Sequence, residues 1–204
     1  MTQNTENKKI TLEYYQSNAE AYFVNTAWID LEKLYKPFLE LMPETGIILD
    51  AGCGSGRDTR FFIQQGFKVV AFDNSSEMVK LASDFTGWDC LHLSFEDIEF
   101  ENKFDGIWAC SSLVHVSKKN MLNILKKFGT ALKVKGAMYI SFKYGNSEYF
   151  RKGRHFSNYD EHEFKELLTK IDTFNLKKMW KTKDLKPGMK NEKWLNILLE
   201  KIQK

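Results

Sequence analysis

The residues best placed to do chemistry lie in one stretch, Ile47-Ile48-Leu49-Asp50-Ala51-Gly52-Cys53-Gly54-Ser55-Gly56-Arg57-Asp58. It reads as a short buried strand, a turn with three glycines and the start of a helix. Glycines at alternate positions let the backbone turn sharply and leave no Cβ between main chain and ligand. A helix beginning near Gly56 aims its unpaired N–H groups and positive dipole end into the same space. The stretch suits a nucleotide-like molecule. It does not say which, because nicotinamide, flavin and other adenosine-containing cofactors all use such a turn.

Spacing and two carboxylates narrow the choice. The glycines are spaced GxGxG (Gly52, Gly54, Gly56), not the GxGxxG of dinucleotide-binding turns. Asp73 falls about twenty residues further on, at the end of the next strand, where a carboxylate can accept both ribose hydroxyls. Asp50 directly precedes the loop, where it would repel a pyrophosphate and attract an ammonium. S-adenosylmethionine carries an ammonium and a sulfonium, has no phosphate and needs its ribose held. The alternatives are structural: Asp50 as a turn or helix cap, and Asp73 as an ordinary turn residue before Asn74-Ser75.

The pattern resembles the class I S-adenosylmethionine-dependent methyltransferases over nearly the whole chain. Leu49 to Gly56 matches that family's first motif, and Ala71-Phe72-Asp73-Asn74-Ser75 its second. Ser94-Phe95-Glu96-Asp97 falls where the family covers the adenine, and Phe104 to Ser111 where its fourth strand meets the cofactor. More narrowly, the chain resembles small bacterial tellurite-resistance and thiol-methylating enzymes. The resemblance implies Gly52, Cys53 and Gly54 along the methionine part, with Asp50 near its ammonium. It implies Asp73 and Asn74 at the ribose, Ser94 and Phe95 at the adenine, and Cys110 and Ser111 closing from the fourth strand. Tyr15 and Tyr22, with Tyr14, would form an N-terminal lid against the sulfonium, whose charge favours an aromatic face; the alternative for Tyr14 and Tyr15 is the apolar face of a helix.

The acceptor side is less readable. His115 follows the fourth strand and is the one candidate general base, or else a structural histidine. Lys143, Tyr144, Arg151, Lys152, Arg154, His155 and Phe156 form a basic, aromatic stretch past the fifth strand. Within it Lys143, Tyr144 and Arg154, together with Tyr14, are candidate acceptor contacts, and Arg154 is the one suited to an anionic group. Trp194 or Trp180 would pack in the closing strands or wall the acceptor pocket. Cys53 reads as packing rather than as a nucleophile.

These residues need elements to hold them. A helix is expected over Ile10 to Thr26, behind a frayed tail, and a second from Asp30 through Leu41. Strands are expected at 46–50, 67–72, 88–93, 104–110 and 137–142, alternating with helices at 57–65, 76–83 and from Ser117. Tyr144 to Tyr159 reads as a long loop, Asp160 to Ile171 as a helix, and 174–182 and 193–202 as closing strands around a turn at Pro187-Gly188. Such alternation implies a doubly wound α/β sheet, mostly parallel, seven-stranded and with an antiparallel C-terminal strand. Its ligand crevice lies at the carboxyl ends of the strands. One domain is expected over 1–204: a helical lid region at 1–43, a cofactor-binding core at 46–142, and an acceptor-side segment at 143–204.

Composition sets the limits. With 204 residues, 43% hydrophobic and 28% charged, the chain can bury a substantial core. A net charge of +3 does not by itself argue for nucleic acid or membrane. Cys53, Cys90 and Cys110 suit neither a disulfide framework nor a CxxC metal site, which favours a reducing, cytoplasmic setting with no metal. No apolar run approaches the roughly 20 residues of a membrane span. The expected function is methyl transfer from S-adenosylmethionine to a small-molecule acceptor, leaving S-adenosylhomocysteine, by a monomer or homodimer. The competing readings are a tRNA or other nucleic-acid methyltransferase, a non-catalytic cofactor-binding module, and a dinucleotide oxidoreductase. The absence of an Asn-Pro-Pro-Tyr-like tetrad at Ala109-Cys110-Ser111-Ser112 weakens methylation of adenine or glutamine amino groups.

Overall fold

The computed structural model describes residues 3–185 and 192–202; the turn expected at Pro187-Gly188 lies outside the described residues. Five strands, β1 (Ile47–Ala51), β2 (Lys68–Asp73), β3 (Leu91–His92), β4 (Phe104–Ala109) and β5 (Leu132–Lys143), pair in parallel. A four-residue pair, β6 (Glu148–Arg151) and β7 (Arg154–Ser157), forms a separate antiparallel hairpin. β9 (Lys193–Lys201) lies antiparallel between β5 and β8 (Phe174–Lys183). The main sheet therefore runs β3-β2-β1-β4-β5-β9-β8. This is the expected seven-stranded α/β sheet.

Alternation along the central strands divides the core between two faces. On β4 and β5, Ile107, Met138 and Ile140 pack on one side with Met121, Ile124, Leu125 and Phe128 of α6 (Lys118–Ala131) and Phe164 of α7 (Glu161–Leu168). Trp108, Ala137 and Tyr139 pack on the other, with Leu34, Tyr35 and Phe38 of α3 (Glu32–Leu39) and Phe62 of α4 (Arg57–Gln64). The helix after β2 is α5 (Ser76–Thr86), capped by the Ser75 hydroxyl, which accepts from Met78 N.

Several expectations need correction. The N-terminal helix begins at Gln3, not Ile10, and breaks at Asn18 into α1 (Gln3–Ser17) and α2 (Ala19–Thr26). β3 is only two residues long, and Trp88 lies outside it with its indole donating to Val69 O. Tyr144 to Tyr159 is not a loop but contains the β6–β7 hairpin. Its two-residue turn, Lys152-Gly153, has φ of +50° and +72°, the geometry that matches strand twist.

Candidate functional site

The glycine turn folds as its composition dictates. Gly52, Gly54 and Gly56 all have positive φ, at +78°, +52° and +76°. At Gly52 a Cβ would stand 2.6 Å from Ser112 Cβ, so only glycine fits there. Ser112 holds that approach by donating from its hydroxyl to Ala51 O at 2.6 Å. Gly54 N donates to Asp73 Oδ2 at 3.0 Å, and Ser75 N donates to Asp73 Oδ1 at 2.9 Å. Each carboxylate oxygen keeps a lone pair for a ligand hydroxyl.

The loop, Asp73 and the segment after β4 open onto one cavity of about 380 Å³, within the usual range for a small-molecule site. Gly52, Cys53, Gly54, Asp73, Asn74, Ser94, Phe95, Cys110, Ser111, Tyr15, Tyr22 and His115 all line it. His92 Nε2 contacts Asn74 O at 3.0 Å, and Phe95 packs edge-on against Phe72. Ser111 sits at φ +57°, a strained conformation for a non-glycine residue, and its N–H is fixed by Ser141 Oγ at 2.8 Å. Ser117 also lines the cavity, and its hydroxyl is buried without a protein partner.

The N-terminal helices close the cavity from above. Lys8 reaches Glu96 at 2.8 Å, and the Ser76 hydroxyl donates to Gln16 Oε1 at 3.1 Å. Tyr15 stacks edge-on against both Tyr14 and Tyr22, and its hydroxyl stands 2.8 Å from His115 Nε2. Burial pushes the Tyr22 phenol up to about 12 and the Tyr15 phenol well above its usual value. Both therefore face the cavity as neutral rings. Burial, reinforced by Asp58, pushes the Cys110 thiol up to about 11, and a hydrogen bond with Cys90, then burial, raises that of Cys53. Neither is a nucleophile at neutral pH.

Asp50 is placed differently from expectation. Its carboxylate lies beneath the loop and accepts from Thr59 Oγ1 at 2.6 Å, and it does not line the cavity. Burial, then the neighbouring Asp58, raises its pKa. It anchors the first turn of α4, so the ammonium role is not carried forward.

Lys143 and Tyr144 also stand outside the cavity lining. Lys143 pairs with Glu192 and packs over Trp194, while Tyr144 packs against Lys181. Tyr14 and Arg154 lie just behind the wall, with the guanidinium 4.3 Å from the Tyr14 ring centroid. Trp194 lines a second cavity of about 80 Å³ that shares Tyr22, Arg57, Cys110 and Ser111 with the first.

Arg57 and Asp58 were not singled out from the sequence, yet both line the main cavity. Arg57 Nε and Nη2 grip Asp58 Oδ1 and Oδ2 at 2.7 and 2.9 Å. Asp58 also accepts from Tyr35 Oη at 2.5 Å and from Trp108 Nε1 at 2.9 Å. Burial opposes its charge, but Arg57 and these donors outweigh burial and hold its carboxyl below the usual value. The readable signal was a charged pair directly after the third glycine, where a helix N-terminus meets a ligand. The arrangement offers an open glycine cradle, a cation beside it, a carboxylate for a diol, and aromatic faces above.

The profile of a methyltransferase domain family matches residues 48–136, from β1 into β5. An uncharacterized methyltransferase of Staphylococcus carnosus is 26% identical over 151 residues, 73% of this chain and 72% of that protein. The fold is shared with the 1,6-didemethyltoxoflavin-N1-methyltransferase of Burkholderia thailandensis, solved with 1,6-didemethyltoxoflavin and S-adenosylhomocysteine. The TM-score is 0.78, with 21% identity, over 100% of this chain and 92% of that one. An S-adenosylmethionine-dependent methyltransferase of Methanosarcina mazei gives 0.74 and 19%, over 84% and 99%. The narrower resemblance to tellurite-resistance enzymes is not shown by these matches. The chain thus carries a stretch similar to a methyltransferase domain family, and it shares its fold with S-adenosylmethionine-dependent methyltransferases of known structure.

Proposed function

We propose that this enzyme methylates a small-molecule acceptor inside this cavity. In this reading Gly52 and Gly54 border the methionine part, and Arg57 meets its carboxylate. Asp73 and Asn74 take the ribose, Ser94 and Phe95 the adenine. Cys110, Ser111, Tyr15 and Tyr22 surround the sulfonium. Bound S-adenosylmethionine supplies an already activated methyl group, so the protein's task is alignment and exclusion of water. Among the described residues no cluster of metal-binding side chains is found.

The observation that carries the acceptor class is the lid. α1 and α2 cover the cavity, and the Lys8–Glu96 bridge ties α1 to the segment after β3. A single small compound fits such a space; a folded RNA does not. Several of the basic residues that could meet RNA are paired within the chain: Lys143 and Arg151 with Glu192, Lys181 with Glu161, Lys177 with Glu200. The Burkholderia 1,6-didemethyltoxoflavin-N1-methyltransferase, solved with 1,6-didemethyltoxoflavin, is consistent with this class. The domain division carries the same proposal, with 1–43 as lid, 46–142 as cofactor core and 143–204 as acceptor-side wall.

Labelled methyl transfer from S-adenosylmethionine into a metabolite pool and a tRNA pool tests the reading. Label is expected in the low-molecular-weight fraction. Label confined to tRNA would refute it.

A further inference from the structure

The tyrosine–histidine contact at the cavity wall has a direction. His115 Nδ1 lies 2.6 Å from the backbone oxygen of His155, which can only accept. The Nδ1 atom therefore carries the proton, and the neutral ring presents a bare lone pair at Nε2. That lone pair faces Tyr15 Oη at 2.8 Å, so the Tyr15 hydroxyl donates to it. The Arg154 guanidinium is near enough to the same phenol to oppose the rise that burial causes. The Tyr15 oxygen keeps lone-pair capacity to accept, in a residue that lines the cavity. The groups facing Tyr15 and His115 are Tyr22 from α2, Asp73 from β2, and Arg154 and His155 from β7. His155 itself contacts His115 O at 3.3 Å and Glu148 at 3.0 Å.

We propose that Tyr15 and His115 form a proton relay, and that the acceptor is a protic nitrogen or oxygen nucleophile rather than a thiolate. The inference rests on the cavity being the methyl-transfer site. The acceptor N–H or O–H donates to Tyr15 Oη. As the acceptor's bond to the methyl carbon forms, the sulfur–methyl bond breaks and its electron pair stays on sulfur. The acceptor proton passes to Tyr15 Oη while the Tyr15 proton passes to His115 Nε2. The resulting imidazolium keeps its Nδ1–H bond to His155 O and loses its extra proton to solvent once product leaves. Because burial holds the Tyr15 phenol protonated, it does not act as a phenolate; it needs His115 to receive its proton in the same step. A thiol acceptor, which ionises readily in solution, has no use for such a relay.

The test has two readouts. The first is the ¹⁵N side-chain spectrum of His115 in the full-length enzyme with S-adenosylhomocysteine. It should show the Nδ1–H tautomer with an unprotonated Nε2 that shifts in Tyr15→Phe; an Nε2–H tautomer would overturn the relay. The second is labelled transfer to xanthine, catechol and benzylamine as protic probes, with dithiothreitol as the thiol. Transfer to a protic probe is expected. Tyr15→Phe and His115→Asn should each lower kcat about a hundredfold, with S-adenosylhomocysteine affinity within about threefold. Transfer to dithiothreitol alone, a change in KM without one in kcat, or no protic transfer while S-adenosylhomocysteine binds would contradict the relay. Failure of S-adenosylhomocysteine to bind would instead contradict the reading of the cavity itself.

Discussion

At the scale of single residues, Asp73 and Asp58 divide the site's tasks. Asp73 is already held by Gly54 N and Ser75 N, so its substitution removes a ligand contact from a loop with other supports. Asp73→Ala should weaken S-adenosylhomocysteine binding by about ten- to a hundredfold, the worth of hydrogen bonds to a charged acceptor. A change below threefold by calorimetry would refute the ribose role. Asp58 is structural as well as local. Removing its charge leaves Arg57 buried and unpaired, so Asp58→Asn should cost about 3 kcal/mol in urea unfolding at neutral pH. Its carboxyl has a lowered pKa in the folded state, so its stabilisation is present above about pH 4, where the unfolded carboxyl is ionised, and is lost as pH falls through the folded value. The variant should lose that part of the acid-side dependence. Asp73 was legible because strand end, glycine loop and diol chemistry agree on one position. Asp50 was misread because spacing does not reveal which side of a turn a carboxylate takes, and here Thr59 claims it.

At the scale of elements, the glycine turn and the hairpin illustrate opposite degrees of legibility. Three glycines after an apolar strand announce the turn, and Gly52→Ala tests it. The added methyl would collide with Ser112 in a conformation that already disfavours a side chain. Cofactor binding should fall at least tenfold, the equivalent of about 1.4 kcal/mol, while far-UV circular dichroism stays native. The β6–β7 hairpin was missed because charged residues blur its alternation, although Lys152-Gly153 between aromatic-bearing segments was a usable turn signal. Gly153 has φ +72° with only ordinary contacts around a Cβ position. Gly153→Ala should therefore cost about 1 kcal/mol and lower Tm by about 2–4 °C. The hairpin matters for function because it carries His155, whose carbonyl orients His115.

At the scale of the whole molecule, the sheet order explains why so many distant residues meet. β1 lies between β2 and β4, so the loops after all three converge where the crossover direction changes. Alternation of apolar strands and amphipathic helices made this architecture readable without the structure. The break at Asn18 and the seating of Arg154 behind Tyr14 were not, since both depend on how the lid packs across the finished crevice. A ligand that binds only the folded chain raises stability by about 2.7 kcal/mol at a hundred times its Kd.

Calorimetric titration of the intact chain with S-adenosylhomocysteine, and separately with NAD, tests the central claim most directly. Saturable one-to-one binding of S-adenosylhomocysteine with no heat from NAD is predicted. Binding of NAD with none of S-adenosylhomocysteine would contradict the account.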